Sequence, residues 1–393
     1  MSQPLSGIRI LDLSRLLPGA YASQILGDFG ADVIKIEEPG SGDYGRFMPP
    51  YLAGGISLYF LATNRNKRSM TLNLKSPEGR EIFLRLVRNA DVVLESFRPG
   101  VMDRLGLGYE QLKEVHPGLI YCAISGYGQD GPYRLRAGHD LNYAGYAGLL
   151  HYNRGPHGEP AMPPTQLGDL AGGSFMAIIG ILTALLGRTK TGEGHMIDVS
   201  MTEGVISLLP LIATAYLNTS IAPQPGQAAL DGWLPCYNIY ETQDGKHITL
   251  AALEYKFWHT FCTRIGHLEL LPFHQPIGPS EREQAIDMLR AIFKTRTRDE
   301  WIAELADIDT CVGPVYTIDE ALNDQHAQAR STSITFSPPG ESFRTLPSFP
   351  RISGVENEQR YPPPGLGEHT SELLHQIGYS DTEIEQFKAG GVI

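Results

Sequence analysis

The segment RAGHDLNYAGYAG, residues 136–148, places His139 between a glycine-containing loop and a run of small residues. The loop follows a predicted strand, and loops at the carboxyl ends of strands carry the ligand sites of open α/β sheets. A histidine side chain can accept or release a proton near pH 7, so His139 is a candidate acid–base residue. The alternative is a structural histidine that hydrogen-bonds within the loop, and the residues alone leave both open.

Two carboxylates are further candidates. Asp169 lies in GDLAGGS, where neighbouring glycines leave room for a bulky ligand, at the predicted start of a long apolar helix. Asp at that place is also a common helix cap. Glu254 ends the apolar strand HITLAAL, where a solvated strand end or a second helix cap is the alternative.

Several basic side chains follow predicted strands and are candidates for binding phosphate. Lys75 follows TLNL, Arg98 follows VVLES, and Arg104 lies in VMDRLGLGYE. The densest basic cluster is NRNKRS, residues 64–69, in a chain whose net charge is −12. Each of these cations can bind phosphate at the carboxyl edge of a sheet, and each can equally be solvated surface charge.

The elements that would position these residues alternate between strand and helix. Short β-rich runs occur at 8–13, 32–37, 69–74, 91–96 and 119–125, with helical segments between them. This alternation predicts an α/β fold with a parallel sheet and right-handed crossovers. No GxGxxG follows the first strand, so a dinucleotide cofactor is not supported although the topology is Rossmann-like.

The second half of the chain has a different pattern. Long apolar helices are predicted over 169–188 and 205–218, followed by a Pro-, Gly- and Ala-rich linker at 220–232. A hairpin joined by QDGK comes next, and the helices after it complete a small α+β domain. We therefore expect a large domain over 1–200, a small domain over 225–330 and a C-terminal segment over 331–393.

Composition excludes several classes of protein. A net charge of −12 over 393 residues argues against a nucleic-acid partner. The four cysteines form no CxxC pair, so we expect no disulfide framework, no metal site and a reducing cytoplasm. Phe175–Leu186 and Val205–Tyr216 are shorter than the roughly 20 residues of a membrane span. We expect no signal peptide and no membrane partner.

Six segments, spread from residue 4 to residue 330, carry a resemblance to the family III CoA-transferase and α-methylacyl-CoA racemase superfamily, and the match as a whole extends over nearly the whole chain. They begin with PLSGIRILDLSRLLPGAYASQILGDFGADVIKIEEPGSGD at residue 4, and the others occupy 64–83, 95–112, 126–148, 168–201 and 323–330. The resemblance implies a Rossmann-like large domain built from both chain ends, a smaller α+β domain, and an interlocked homodimer. It also implies that an acyl-CoA thioester is the substrate and that no separate cofactor is needed.

The superfamily contains two chemistries. Racemases exchange the α-proton of an acyl-CoA between a histidine and an aspartate through an enolate, whereas transferases form an aspartyl-CoA thioester. The chain has the racemase-like motif GHDLNY around His139, and AALEYKF places Glu254 where racemases carry an acidic residue that supports the histidine. The resemblance therefore favours an α-methylacyl-CoA racemase with His139, Asp169 and Glu254 as catalytic residues.

The same resemblance implies the residues that contact CoA. These are Leu72, Leu74, Lys75, Phe97, Arg98, Arg104, Ala137, Gly138 and Asp140. Glu38 occupies a position where transferases often have arginine, so the contact with adenine there is left open.

Two departures from the racemase pattern leave other functions open. PPTQLGDL is one residue shorter before Asp169 than the racemase pattern, and PGA replaces PGP near residue 18. A family III CoA-transferase with Asp169 as nucleophile is therefore the alternative. A protein that binds a CoA thioester without catalysis is a third hypothesis, against which the three candidate catalytic residues argue.

Overall fold

The structure is a computed structural model that describes residues 3–52, 54–155, 157–276, 278–336, 342–355 and 360–393. The chain forms two compact units. The first consists of Met1–Leu150, Met162–Pro210 and Thr332–Ile393, and the second of His151–Ala161 and Leu211–Ser331.

Strands and helices alternate through the first half of the chain, and helices predominate in the second. In chain order, the strands are β1 (Arg9–Asp12), β2 (Asp32–Glu37), β3 (Lys67–Thr71), β4 (Val92–Glu95), β5 (Ile120–Ser125), β6 (Met196–Ser200), β7 (Tyr237–Glu241), β8 (His247–Ala251), β9 (Val312–Pro314), β10 (Ile334–Phe336) and β11 (Phe343–Thr345). The helices are α1 (Leu17–Asp28), α2 (Leu58–Thr63), α3 (Pro77–Val87), α4 (Val101–Arg104), α5 (Tyr109–Val115), α6 (Asp140–Tyr146), α7 (Leu149–Tyr152), α8 (Met176–Thr191), α9 (Met201–Ile206), α10 (Pro210–Thr219), α11 (Tyr255–Arg264), α12 (Pro279–Phe293), α13 (Arg298–Leu305), α14 (Ile318–Asn323), α15 (Gln325–Ala329), α16 (Thr370–Gln376) and α17 (Asp381–Ala389). A π-helical segment, Gly168–Phe175, runs directly into α8.

The first unit is built on a six-stranded sheet with the order β3-β2-β1-β4-β5-β6. All neighbouring strands in it are parallel. The central strands β4 and β5 are short, largely apolar and buried, as expected for strands covered on both faces. The predicted α/β class is confirmed.

Helices cover both faces of this sheet. On one face, α3, α5, α16 and α17 contribute buried residues such as Phe83, Leu112, Leu374 and Ile384 to the core. On the other face, α1 and α8 contribute a second set that includes Leu26 and Ile181. Because the helices occupy the faces, the loops at the carboxyl edge of the sheet are left free to form a site.

The basic cluster at 64–69 is not a phosphate pocket. Lys67 and Arg68 belong to β3, which therefore begins two residues earlier than the predicted strand at 69–74. Three of the cluster's cations are paired inside the protein: Arg65 with Asp28 at 2.5 Å, Lys67 with Asp12 at 3.2 Å and Arg68 with Asp32 at 2.8 Å. A buried charge must be paired. Because these cations are paired within the protein, their charge is not available to bind the phosphate ligand that the sequence pattern suggested.

The helix that runs from Gly168 to Thr191 (the long helix) is long and apolar enough to cross a membrane by length and composition alone. It extends past both ends of the apolar stretch 175–186 on which the expectation of no span was based. Ala177, Ile181 and Leu185, spaced four residues apart, are buried in the core of the first unit. This packing accounts for one apolar side of the helix.

The prediction of one helix over 205–218 is wrong. The chain forms α9, which ends at Ile206, and α10, which begins at Pro210. Proline lacks the N–H that a continuous helix requires at that position, so the helix breaks before it.

The second unit contains an antiparallel sheet of β7, β8 and β9. The predicted hairpin is confirmed: β7 and β8 pair, and Gly245 in the turn has φ +74°. A separate core, with Trp258, Phe261 and Phe293 fully buried, joins this sheet to α11, α12 and α13.

The glycines of the long helix give a test of this packing. A Cβ atom on Gly172 would lie 2.5 Å from the Met201 carbonyl oxygen, whereas nothing lies within 4 Å of one on Gly187. We expect Gly172→Ala to lower the free energy of unfolding by about 2 kcal/mol because backbone must shift. Gly187→Ala, the matched control, should raise it by up to about 1 kcal/mol. Urea denaturation of both variants measures the difference, and equal stability would contradict the close packing.

Candidate active site

The loops after β1 and β4 meet where the strand order of the sheet changes direction. β1 and β4 are neighbours, but the chain leaves β1 toward β2 and β3 on one side and leaves β4 toward β5 and β6 on the other. The backbone N–H of Arg15 donates to Ser96 Oγ at 3.0 Å, which joins the two loops. Crevices of this kind are where open α/β sheets bind ligands.

A cavity of about 470 Å³ opens at this crevice. Six of the residues predicted from the sequence line it together: Phe97, Arg98, Ala137, Gly138, His139 and Asp169. All of them belong to the first unit. The cavity brings the histidine and the aspartate of the predicted proton-transfer pair to one site.

Contacts in the structure explain most of the residue types in the GHDLNY motif. His139 is exposed and precedes α6, and its backbone N–H donates to Asn142 Oδ1 at 3.0 Å. The Tyr143 hydroxyl donates to the Gly138 carbonyl at 2.5 Å. A Cβ on Gly138 would lie 2.7 Å from the Tyr143 ring, so only glycine fits there. The motif therefore holds the loop by its backbone while His139 lines the cavity.

Asp169 does not cap the long helix. The helix already includes Gly168, and Leu167 occupies the cap position, so Asp169 lies within the first turn. Its backbone N–H donates to Asp140 Oδ1 at 3.0 Å. A Cβ on Gly168 would approach the same Asp140 oxygen to 2.9 Å, which explains why glycine precedes Asp169. Asp169 is therefore not a capping residue, and it lines the cavity instead.

The acidity of Asp169 is strongly perturbed. Burial raises the pKa of its carboxyl to about 7, and the negative charge of Asp140 contributes in the same direction. Near neutral pH the group is therefore present both with and without its proton. A carboxyl in this state can donate a proton and can accept one.

A second cavity of about 350 Å³ adjoins the first through two shared residues, Arg15 and Phe97. Leu72, Leu74 and Lys75 line it, together with Glu38. Glu38 pairs with Lys75 at 2.9 Å and with Arg15 at 3.5 Å. Hydrogen bonding from Lys75 lowers the pKa of Glu38, which stays ionised. The second cavity therefore combines apolar side chains with the paired charges of Lys75, Arg15 and Glu38.

Arg104 lines a third cavity of about 340 Å³, which shares Pro99 and Arg134 with the first. Glu95 lies on its wall, and burial raises the pKa of this carboxyl to about 8. The predicted binding residues are thus distributed over three adjoining cavities along one edge of the sheet. Asp140 is not among the lining residues, and its contact is with Asp169.

Glu254 belongs to the second unit. It is exposed, and it precedes α11 without a side-chain hydrogen bond to the helix. Its support of His139 stays a prediction. Across the described ranges, no group of three or more His, Cys, Asp or Glu side chains is arranged to hold a metal ion.

The lining residues that were not predicted from the sequence include Arg15, Leu16, Arg134 and Arg136. Arg15 and Leu16 closely follow β1, and Arg134 and Arg136 closely precede the GHDLNY motif. Each of these residues lies in a segment that follows a strand at the carboxyl edge of the sheet, and this position could have identified them from the sequence. The Arg136 guanidinium lies 4.1 Å from the Tyr133 ring centroid and hydrogen-bonds the Tyr146 hydroxyl, so aromatic side chains hold it at the rim.

The fold and the site define an α/β protein with a histidine and an aspartate at one cavity on the carboxyl edge of a parallel sheet. The family model described as CoA-transferase family III matches residues 5–370. The chain belongs to CoA-transferase family III, and the relatives it matches are acyl-CoA enzymes of both the racemase and the transferase type.

Three relatives illustrate this range. The chain is 37% identical to an acyl-CoA transferase of Fusarium pseudograminearum, over 99% of this chain and 88% of that protein. It is 36% identical to the human alpha-methylacyl-CoA racemase, over 99% and 97%. A crystal structure of a CAIB/BAIF family protein from Brucella suis matches with a TM-score of 0.83 and 32% identity, covering 96% of this chain and 100% of that one.

The Asp140–Asp169 contact generates a prediction about pKa. Asp140→Asn retains an oxygen that accepts from the Asp169 N–H but removes the negative charge that raises the pKa of Asp169. We expect this pKa to fall below about 7 while staying above 3.8, because burial still raises it. Carboxyl ¹³C NMR titration of Asp169 measures the shift, with Asp130→Asn as the matched control on the loop before the motif. An unchanged pKa in Asp140→Asn would contradict the electrostatic coupling.

Proposed function

We propose that the protein inverts the α-carbon of a 2-methylacyl-CoA thioester, with His139 and Asp169 exchanging the α-proton. The observation that carries this is that a histidine and a carboxyl group with a pKa of about 7 line one cavity. One group removes the proton, and the other returns it to the opposite face. General acid–base catalysis works best when the groups titrate near the working pH.

The enolate formed between the two proton transfers carries negative charge on the thioester oxygen. Arg15, Arg98, Arg134 and Arg136 line the same cavity and supply positive charge there in an otherwise acidic chain. Preorganised positive charge stabilises an anionic intermediate more effectively than water does. These arginines support the enolate route.

We assign the CoA part of the substrate to the second and third cavities and to Arg98 of the first. Leu72 and Leu74 offer apolar contact for the adenine ring, and Lys75, Arg98 and Arg104 offer charge to the phosphates. Ala137 and Gly138 form the wall next to the thioester. No further cofactor is needed for proton exchange.

We also assign Glu254 to the support of His139, from the resemblance of AALEYKF to the racemase pattern. An interlocked homodimer is the assembly that we propose. Ile179, Leu182 and Leu186 of α8 remain exposed in the single chain, which supports a partner surface. A cytoplasmic location fits the four cysteines, all of which are free thiols.

Deuterium incorporation tests the racemase proposal. A single enantiomer of a 2-methylacyl-CoA is incubated in D2O, and α-deuterium is followed by mass spectrometry. We expect incorporation with the wild type. His139→Ala and Asp169→Asn should each lose inversion by about 10²- to 10⁴-fold, because each removes one proton carrier. Each variant should still exchange the enantiomer whose proton the remaining group abstracts.

His116→Asn, at the end of α5 and away from the cavities, is the matched control and should keep full activity. The absence of α-deuterium with the wild type across several acyl chain lengths would sink the racemase proposal.

CoA transfer is the second candidate function. Within the described ranges no hydrogen bond is formed by the Asp169 carboxylate, which leaves it open to attack a thioester carbonyl. The identity to an acyl-CoA transferase over nearly the whole chain favours the same possibility. In this reaction the Asp169 carboxylate attacks the donor thioester and displaces the CoA thiolate, which gives a mixed anhydride. The thiolate then attacks the aspartyl carbonyl of the anhydride, so that the donor acid leaves as its carboxylate and an aspartyl-CoA thioester remains.

Chemical trapping separates the two functions. With an acyl-CoA donor present, hydroxylamine or borohydride should modify Asp169 alone if the aspartyl-CoA thioester forms, and peptide mass spectrometry locates the change. Asp130→Asn, on the loop before the motif, is the matched control and should still be labelled. If no donor leads to modification while α-deuterium is incorporated, the transferase candidate is excluded.

A further inference from the structure

Leu16 has a backbone conformation that side-chain-bearing residues rarely adopt. Its φ is +61° and its ψ is −145°, in a region that is essentially reserved for glycine. The residue lies at the start of α1 and lines the first cavity together with Arg15 and Pro18. The strain is therefore located at the wall of the candidate active site.

Two buried charges hold the backbone just before this residue and at the residue itself. The Lys35 ammonium, fully buried, donates to the Ser14 carbonyl at 3.0 Å and pairs with Asp43 at 2.7 Å. Asp43 in turn accepts the backbone N–H of Leu16 at 3.1 Å. One ion pair thus anchors the chain before Leu16 and at Leu16 itself.

A second buried pair fixes the ends of the same loop. Asp12 accepts both the backbone N–H and the hydroxyl of Ser14, at 2.9 Å and 2.5 Å. Lys67, which pairs with Asp12 at 3.2 Å, donates to the Ala20 carbonyl in the first turn of α1 at 2.8 Å. The loop from residue 14 to residue 17 is therefore held at both ends by charges with no exposure to solvent.

Neither feature is explained by stability. A buried ion pair stabilises a fold no better than well-packed apolar side chains do, and a strained backbone persists only where its surroundings force it. Both occur at one loop, and this loop also carries Arg15, which joins the first two cavities. The Arg15 guanidinium lies between the rings of Tyr44 and Phe97, at 5.1 Å and 5.5 Å from their centroids.

We propose that the strained conformation of Leu16 is a positioning device for catalysis, imposed by Asp43 and Lys35. Asp43 and Lys35 are positioning residues, because they act through the loop and do not line the first cavity. The strained backbone at Leu16 sets the path of the loop and thereby positions Arg15 and Leu16 next to the thioester. The inference rests on the proposed function in that it assigns an acyl-CoA to these cavities.

Two substitutions at one position separate the backbone from the side chain. Leu16→Gly relieves the strain, and Leu16→Ala removes the same apolar side chain but keeps the Cβ atom that causes it. We expect Leu16→Gly to melt at least about 2 °C higher than Leu16→Ala and to lose at least about tenfold more kcat/KM in deuterium exchange or CoA transfer. A structural role alone would not make the more stable variant the less active one.

Ser220→Gly is the matched control. Ser220 has φ +59° in an exposed segment after α10, so its substitution relieves a positive φ without touching the cavities. This variant should gain stability and keep its kcat/KM. Equal kcat/KM in Leu16→Gly and Leu16→Ala, or a lower melting temperature for Leu16→Gly, would overturn the proposal.

A binding measurement tests the positioning role of Leu16 independently of the reaction. If the wild type neither exchanges deuterium nor transfers CoA, the proposed function fails, and the Kd for CoA from calorimetry replaces kcat/KM. A weaker Kd for Leu16→Gly than for Leu16→Ala then supports the positioning role of the strained loop. An equal Kd overturns it.

Discussion

The hydrogen bond from the Asp169 backbone N–H to Asp140 Oδ1 connects the two walls of the candidate active site. Asp140 begins α6, directly after His139, and Asp169 lies in the first turn of the long helix. The same Asp140 carboxylate also contributes to the raised pKa of Asp169. Position and acidity are thus coupled, since any movement that breaks the bond also changes the proton affinity of Asp169.

The long helix is placed by glycines as much as by apolar side chains. Gly172 lies against Met201 and Gly204 of α9, and a Cβ on Gly173 would come within 2.9 Å of Pro18. The Ser174 hydroxyl donates to the Pro18 carbonyl at 2.6 Å. The helix that carries Asp169 is therefore held against the start of α1, directly after the loop that the buried Lys35 and Lys67 pairs hold. Backbone contacts therefore restrict the movement of the two cavity walls that carry Leu16 and Asp169.

Much of this arrangement could be predicted from the sequence. The alternation of apolar strands and helices predicts the parallel sheet, and the position of His139 and Arg98 after strands predicts their meeting at one edge. The start of β3 could not be predicted, because Lys67 and Arg68 look solvent-exposed until their partners are known. Those partners, Asp12 and Asp32, lie tens of residues away, and no local pattern reveals them. The strain at Leu16 is equally hidden, since it depends on the surroundings and not on the residue type.

A carboxyl group with a pKa of about 7 serves both chemistries of the family. Its protonated form can deliver a proton to an enolate, and its ionised form can attack a thioester, so the acidity of Asp169 does not choose between them. The choice must come from a group on another wall of the same cavity. A tyrosine there, with an ordinary pKa near 10, would hold its proton at neutral pH and leave Asp169 to act alone as a nucleophile. Position 139, a histidine in this chain, is therefore where we expect proton exchange and CoA transfer to diverge on one scaffold.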